Sequence, residues 1–414
     1  MNAFTAIFIT ALVISYIVEQ WLARKQTITV TKHRGEVPEA FKKTITLKQH
    51  QKAADYTLDK LNLGLTEGLV STMTLLLLIF GGILNYLAIF WFQDIAFSSQ
   101  LLGGVCVVLS VFIISHLVGL PVNWYQTFKL EEQYGFNKTT RGQFVKDQLL
   151  QIILMIVIAG PLIAAILWVM QYQKEYWWLI AWAILISFSL LMSWLYPVLI
   201  APLFNKFKPL DNPELNERIQ KLMDRCGFQS KGIFVMDGSR RSGHGNAYFT
   251  GFGKNKRIVF FDTLLEKLSA DEVEAVLAHE LGHFKRKHIL KQLVASSAIS
   301  LIGFAIMGWL YTKEWFYEGL GISAVTPSIS LVLFILITPA FTFFLQPLSA
   351  KFQRKFEFEA DDYAAEKTNS EHLITALVKL YRDNASTLTP DTTYSNFYYS
   401  HPPASVRIAH LSGK

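Results

Sequence analysis

Seven stretches of the chain are almost free of charge, near 4–22, 69–92, 101–121, 152–171, 177–200, 290–311 and 327–349. Each is long enough to cross a membrane as a helix, which takes about 20 apolar residues. A single run of this kind reads equally well as a buried core helix, but seven in one chain predict a multi-pass membrane protein. The larger polar material falls in two blocks, 201–289 and 350–414. The chain therefore divides into spans one to five with their loops (1–200), a first polar block (201–289), spans six and seven (290–349) and a second polar block (350–414).

Inside the polar blocks the pattern changes. GIFVMDGS and KRIVFFDTLL read as short strands with NAYFTGFG between them, and PELNERIQKLMDRCGF reads as a helix ending at Gly227. Ser269-Ala-Asp-Glu272 is a capping box, so a second helix starts there and runs through Val273, Val276, Leu277 and Glu280. The blocks read as α+β. No repeat or low-complexity linker separates them.

Composition agrees: 51% of the 414 residues are hydrophobic and only 17% charged. The placement of charge says more than the net +7. Arg24, Lys25, Lys32, Arg34, Lys42, Lys43, Lys48, Lys52 and Lys60 follow the first span, while the next loop, QDIAFSSQ, has no basic residue. Lys129, Lys138, Arg141 and Lys146 follow the third span, QYQKEY has only Lys174, 201–289 is again basic, and 312–326 has only Lys313. This alternation places the N-terminus outside and both polar blocks in the cytosol. The first span has no Lys or Arg ahead of it and no small-residue cleavage site, so it reads as retained. Trp177, Trp178, Trp194 and Tyr196 read as interface anchors. Nothing suggests nucleic acid, because no basic stretch is studded with aromatics. Cys106 and Cys226 form no disulfide framework and lack metal-site spacing.

The candidate chemistry sits in LAHELGHF. His279 and His283 are four apart, so on a helix they share one face and can share one ion. Glu280 follows the first histidine, where HExxH sites place the general base for a zinc-activated water. The bland alternative is two histidines and a glutamate on a solvated helix face. Such a site needs a third ligand, and FEFEAD offers Glu357 with Asp361 one turn on. Spacing alone does not select them, since Glu359, Asp362 and Glu366 share the block and an acidic surface balancing Arg354 and Lys355 explains it better. His288 falls five after His283 and reads as a membrane-boundary or second-shell residue. His116, inside an apolar run, is either functional or a packed, hydrogen-bonded histidine. His401, before two prolines in YSHPPASVRI, is either a site residue held by a rigid turn or a capped turn.

HELGH, FEFEAD and YSHPPASVR in this order, together with many spans, resemble the integral-membrane CAAX prenyl proteases, zinc endopeptidases of the HExxH–ExxAD class. SRRSGHGNAYFTGFGKNKRIVFFDTLLE resembles the strand segment that precedes the zinc helix in that family. KLEEQYGFNKTT, YTLDKL and APLFNKFKPL resemble its loop signatures. The resemblance implies one zinc ion per chain held by His279, His283 and Glu357, with Glu280 as catalytic base and Asp361 behind the metal site. It implies that Asn246, Ala247, Tyr248 and Phe249 pair with substrate backbone, and that His401 and Arg407 steady the transition state or its surrounding network. It further implies a barrel of seven helices around a water-filled chamber, closed on the cytosolic side by an α+β zinc domain.

The expected function is removal of the C-terminal tripeptide of prenylated CAAX proteins, with the lipid bilayer and peptide or protein substrates as partners. Its enzyme rival is a broad quality-control protease for membrane proteins. A site-two type of intramembrane protease is set aside, because DEVEA precedes the motif, KRK follows it and no LDG occurs. A seven-span transporter or receptor with a vestigial zinc site would lack Glu280 or Glu357, and both are present. A length short for the family and the lack of a C-terminal retention signal point to a bacterial inner membrane, with the endoplasmic reticulum as the alternative.

Overall fold

The computed structural model describes residues 2–95, 99–230, 232–250, 257–323 and 325–413. Seven helices in it are long and apolar enough to cross a membrane: Ala3–His33, Leu47–Ile79, Gln100–Glu131, Arg141–Tyr172, Trp177–Phe204, His288–Leu310 and Pro327–Lys367. Most outrun the bilayer. At 1.5 Å per residue the 31 residues of the first extend about 46 Å, against a hydrocarbon core of about 30 Å. The excess carries basic residues clear of the lipid. Lys48, Lys52 and Lys60, read from sequence as loop, lie on the second helix, which a Thr46/Gln49 capping box starts.

The apolar run 69–92 is not one helix. It stops at Ile79, Gly82 turns with φ 77°, and a short helix, Ile83–Ile89, follows. A Cβ on Gly81 would lie 2.5 Å from the Leu77 carbonyl oxygen, so the Gly81–Gly82 pair ends the helix where other residues would clash or strain. Trp177 also departs from its expected role. It is buried against Tyr311 with ring centroids 5.3 Å apart, while Trp194 and Tyr196 are exposed as anchors should be.

The spans are loosely filled. None of the most apolar window of the fifth span is buried, and only 11% of that of the second and sixth. A solid bundle would bury one stripe of every helix; here open space borders the first three spans. A cavity of about 720 Å³ lies between the first two spans and the C-terminal block, lined by Glu19, Gln26, Tyr56, Lys60, Tyr381 and Tyr399 among others. A second, of about 300 Å³, is lined by Glu67, Ser71, His116 and Asn123 among others. Polar side chains at membrane depth are tolerated where they line such space. His116 lines the second of these cavities, and its Nε2 is shielded and makes no hydrogen bond.

The two polar blocks share one core. Strands β1 (Phe207–Pro209), β2 (Ile233–Met236), β3 (Ala247–Thr250) and β4 (Arg257–Phe261) form a sheet in the order β1-β2-β4-β3, with β2 and β4 parallel and the other pairs antiparallel. In β4, Ile258, Val259 and Phe260 are all buried, the mark of a strand covered on both faces. Ile219 and Leu222 of helix Pro213–Arg225 and Val273, Leu277 and Leu281 of helix Ala270–Lys285 pack with Ile258 and Phe260. Tyr363, Leu377 and Leu411 from the second block complete the cluster.

Two continuous connections tie this domain to the membrane. The seventh span, Pro327–Thr342, passes through one tight turn at Phe343–Leu345 and goes on as helix Gln346–Lys367, with Pro347 in its first turn. Helix Ala270–Lys285 ends at Arg286, Lys287 takes a left-handed conformation with φ 57°, and the sixth span starts at His288.

Candidate metal centre

Helix Ala270–Lys285 starts at its capping box: Glu272 N–H donates to Ser269 Oγ at 3.3 Å, and Ser269 N–H to the Glu272 carboxylate at 2.8 Å. From there Val273, Leu277 and Leu281 bury one side while His279 and His283 share another. Their Nε2 atoms lie 3.1 Å apart. Glu357, on the helix that continues the seventh span, brings Oε1 to 3.2 Å from His283 Nε2 and Oε2 to 3.5 Å from His279 Nε2. One donor atom from each residue lies within 4.8 Å of the others. Among the described residues this is the one group of histidine, cysteine and acidic side chains that converges so.

The arrangement fits a divalent cation on its own evidence. Glu357 Oε2 is buried and accepts no hydrogen bond, with only ionic contacts of 3.5 Å to Arg407 Nη and His279 Nε2, an undersatisfied state that a metal ion would relieve. Two imidazole nitrogens and one carboxylate with a fourth side left open is the donor set of catalytic zinc sites.

The close approach of the two helices depends on Gly282. A Cβ there would lie 2.9 Å from Ala360 Cα and 3.1 Å from Ala360 O. The glycine of HELGH and the alanine of FEFEAD are thus the small residues that let Glu357 reach between the histidines.

Asp361, one turn beyond Glu357, is fully buried and its Oδ1 sits 2.9 Å from His279 Nδ1. A carboxylate behind a ligand imidazole fixes the ring and its tautomer. Arg407 is buried too, and its guanidinium forks onto Asp361, with Nε donating to Oδ2 at 2.9 Å and an Nη to Oδ1 at 2.5 Å. Its other Nη is 3.5 Å from Glu357 Oε2. Arg407 therefore braces Asp361 and borders the ligand Glu357. His401 is placed differently: its side chain is 63% exposed at the rim, with Nε2 3.4 Å from Glu357 Oε1 and Nδ1 2.8 Å from Ser400 Oγ.

Burial raises the Glu280 carboxyl above the ordinary glutamate value, against the pull of the two histidines. A carboxylate poised upward in this way suits a general base near neutral pH. For His279, burial and Arg407 both disfavour a proton, but hydrogen bonds to Asp361 and Glu357 prevail and push it up to about 9. The metal-free site thus holds a proton where a cation would sit.

Asn246 immediately precedes β3, and its carbonyl accepts from Phe261 N–H at 3.0 Å. That makes Asn246–Phe261 a hydrogen-bonded pair, and alternation along the antiparallel ladder makes Tyr248–Val259 the next. The backbone groups of Ala247 and Phe249 consequently face the outer edge of the sheet, where β3 pairs with no strand among the described residues. Ala247 N–H is occupied locally by Asn246 Oδ1 at 2.8 Å. Gly251 to Lys256, which extend NAYFTGFG, lie outside the described residues.

Two residues at the centre were not selected from sequence as a pair. His288 places Nδ1 3.0 Å from His283 Nδ1, and its Nε2 3.0 Å from Glu359 Oε2. Spacing gave His288 only as a membrane-boundary or second-shell residue; the left-handed Lys287 sets it directly behind His283. Glu359 carried no signal beyond being acidic.

Comparison with known proteins gives a consistent pattern. Residues 26–206 match the family model described as CAAX prenyl protease N-terminal, five membrane helices, and residues 209–414 match peptidase family M48. A CAAX prenyl protease 1 homolog of Arabidopsis thaliana is 34% identical over 97% of this chain and 96% of its own. CAAX prenyl protease 1 of Saccharomyces cerevisiae is 38% identical over 72% of this chain and 69% of its own. The human CAAX prenyl protease 1 homolog is 31% identical over 96% and 92%. The crystal structure of S. mikatae Ste24p superposes with a TM-score of 0.91, at 29% identity and 99% coverage of both chains. The near-complete coverage of the plant relative removes length as an argument for a bacterial home.

Proposed function

Since the chain belongs to the CAAX prenyl proteases of peptidase family M48, and is thus a zinc-dependent metallopeptidase of the membrane, we propose that it cleaves near the C-terminus of prenylated CAAX substrates, using His279, His283 and Glu357 to hold the zinc. The observation that carries this reading is the Glu357 carboxylate set against two histidine Nε2 atoms, with Oε1 3.2 Å from His283 and Oε2 3.5 Å from His279. A bound zinc would lower the pKa of a water and polarise the scissile carbonyl.

The side chains divide the remaining work. Glu280 takes the proton from the attacking water and returns it to the leaving amine. The outward groups of Phe249 and the outward carbonyl of Ala247 hold the peptide as an added strand, which sets the scissile bond against the site. His401, exposed at the rim, is free to donate to the oxygen that gains charge. Asp361 and Arg407 act only through His279 and Glu357, by holding their orientation and balancing their charge. The catalytic unit is then residues 201–289 with 350–414, and the spans 1–200 and 290–349 enclose its approach.

The basic loops support a cytosolic zinc domain. All the relatives named above are eukaryotic, which favours the endoplasmic reticulum over a bacterial inner membrane. The 720 Å³ cavity, with lysine, glutamate and tyrosine in its wall, also suits unlipidated peptides. The test is therefore cleavage of a farnesylated CAAX peptide and its unprenylated twin by detergent-purified protein, beside Glu280→Gln. Cleavage of the lipidated peptide first, abolished in the variant, supports the reading. Equal cleavage of both would favour a broad quality-control role, and cleavage that survives Glu280→Gln would reject the mechanism.

A further inference from the structure

We infer that His288 and Glu359 are positioning residues for the second zinc histidine, an inference that rests on the metal site proposed above. His279 has a carboxylate directly behind it: Asp361 at 2.9 Å from Nδ1. Among the described residues His283 has none there. Behind its Nδ1 stands the His288 imidazole, Nδ1 to Nδ1 at 3.0 Å, and behind that Glu359, Nε2 to Oε2 at 3.0 Å.

One assignment of protons satisfies every atom in this line. If His283 faces the ion through Nε2, that nitrogen is unprotonated and Nδ1 carries the hydrogen. His283 Nδ1–H then donates to His288 Nδ1, which must be bare, so the His288 proton is on Nε2 and donates to Glu359. Each imidazole is neutral, each nitrogen is used, and the line ends on a carboxylate. Lys291 and Lys355 approach that carboxylate at 3.6 and 3.8 Å.

The parts are built to hold still. The His288 side chain is 2% exposed, and its ring stacks on Phe356, centroids 4.3 Å apart and planes 12° from parallel. Phe356 adjoins the ligand Glu357 on the same helix. His288 is also the first residue of the sixth span, placed by the left-handed Lys287. The line therefore fixes the tautomer and tilt of His283 and ties the metal site to the start of a membrane helix. Partners of this kind raise metal affinity by about 10–100-fold.

The test is zinc affinity of the full-length detergent-purified protein by chelator competition, with thermal melting of each metal-free variant as a check on folding. His288→Phe keeps an aromatic ring against Phe356 but cannot accept from His283. His288→Asn places an amide oxygen where Nδ1 lies, and so restores the acceptor. The expected result is a loss of 10-fold or more for the phenylalanine variant, with most of it recovered by asparagine. Glu359→Ala should lose affinity in wild type and little more in the His288→Phe background. Wild-type affinity in His288→Phe would overturn the inference, and so would equal losses in both His288 variants, which would mean that the ring only fills space. His279→Ala serves as the control for the site itself: full zinc retention there would reject the ligand assignment, whatever His288 does.

Discussion

Gly282 and Ala360 are in backbone contact, so close that a Cβ on residue 282 would fall 2.9 Å from Ala360 Cα. That contact sets the distance between the helix bearing two ligands and the helix bearing the third. Gly282→Ala should force the helices apart. Overpacking of this kind costs about 1–3 kcal/mol, and here the same shift moves Glu357 away from the histidines. The expected outcome is a lower melting temperature together with weaker zinc binding. A variant that binds zinc like wild type would show that the helices tolerate the methyl group without moving the ligands.

Glu280→Gln separates the metal from the chemistry. The side chain keeps its size and ligates nothing, so zinc content and folding should be unchanged. Turnover should fall by about 10²–10⁴-fold, the usual worth of a general base. Metal analysis and steady-state kinetics on one preparation check both halves. Loss of zinc in this variant would mean that Glu280 belongs to the ligand set.

Zinc loading should release a proton. With His279 pushed up to about 9, the metal-free site is protonated at neutral pH and the ion must displace that proton. Zinc affinity should accordingly rise with pH until about 9 and flatten for this group beyond it. The metal-free fold has the opposite sign. The His279 proton contributes stability that is complete below its ordinary value of 6.5 and is lost as pH rises through about 9. Calorimetry in buffers of different ionisation heat counts the protons, and melting of metal-free protein against pH tests the second sign. Asp361→Asn should weaken zinc by about 10–100-fold and reduce the proton release, because the carboxylate that holds the proton is gone.

The outer edge of β3 should read substrate through its backbone. Phe249→Pro removes an outward N–H while leaving the bonds of Tyr248 to β4 in place. With Phe249→Leu as the control for lost packing against Phe228, 5.3 Å away, the proline variant should raise KM or lower kcat/KM with zinc affinity intact. Unchanged kinetics would place substrate elsewhere.

Much of this molecule is set by local physics and is visible in the linear chain. The spans are recognised by length and apolarity, their direction by Lys and Arg, and the ligand helix by Ser269 and Glu272, because each signal acts within a few residues of itself. The pairing of His279 with His283 is of the same kind, since a helical turn needs no tertiary context. What lay beyond reach depends on elements distant in sequence. Glu357 could not be told from Glu359, Asp362 or Glu366 by spacing, and only the crossing of two helices at Gly282 and Ala360 brings it between the histidines. Arg407, 46 residues from Asp361, is buried against it only because the C-terminal helix folds back onto the acidic one. His288 read as a membrane-boundary or second-shell residue, but its place directly behind His283 Nδ1 depends on the turn that the left-handed Lys287 makes between two helices. Hydropathy likewise marks which helices are apolar but not which face water, so the cavities exist only in the packed structure. Periodicity and capping are short-range and survive in one dimension. Ligand geometry, burial and enclosed space are sums over distant parts of the chain, and the folded structure alone decides them.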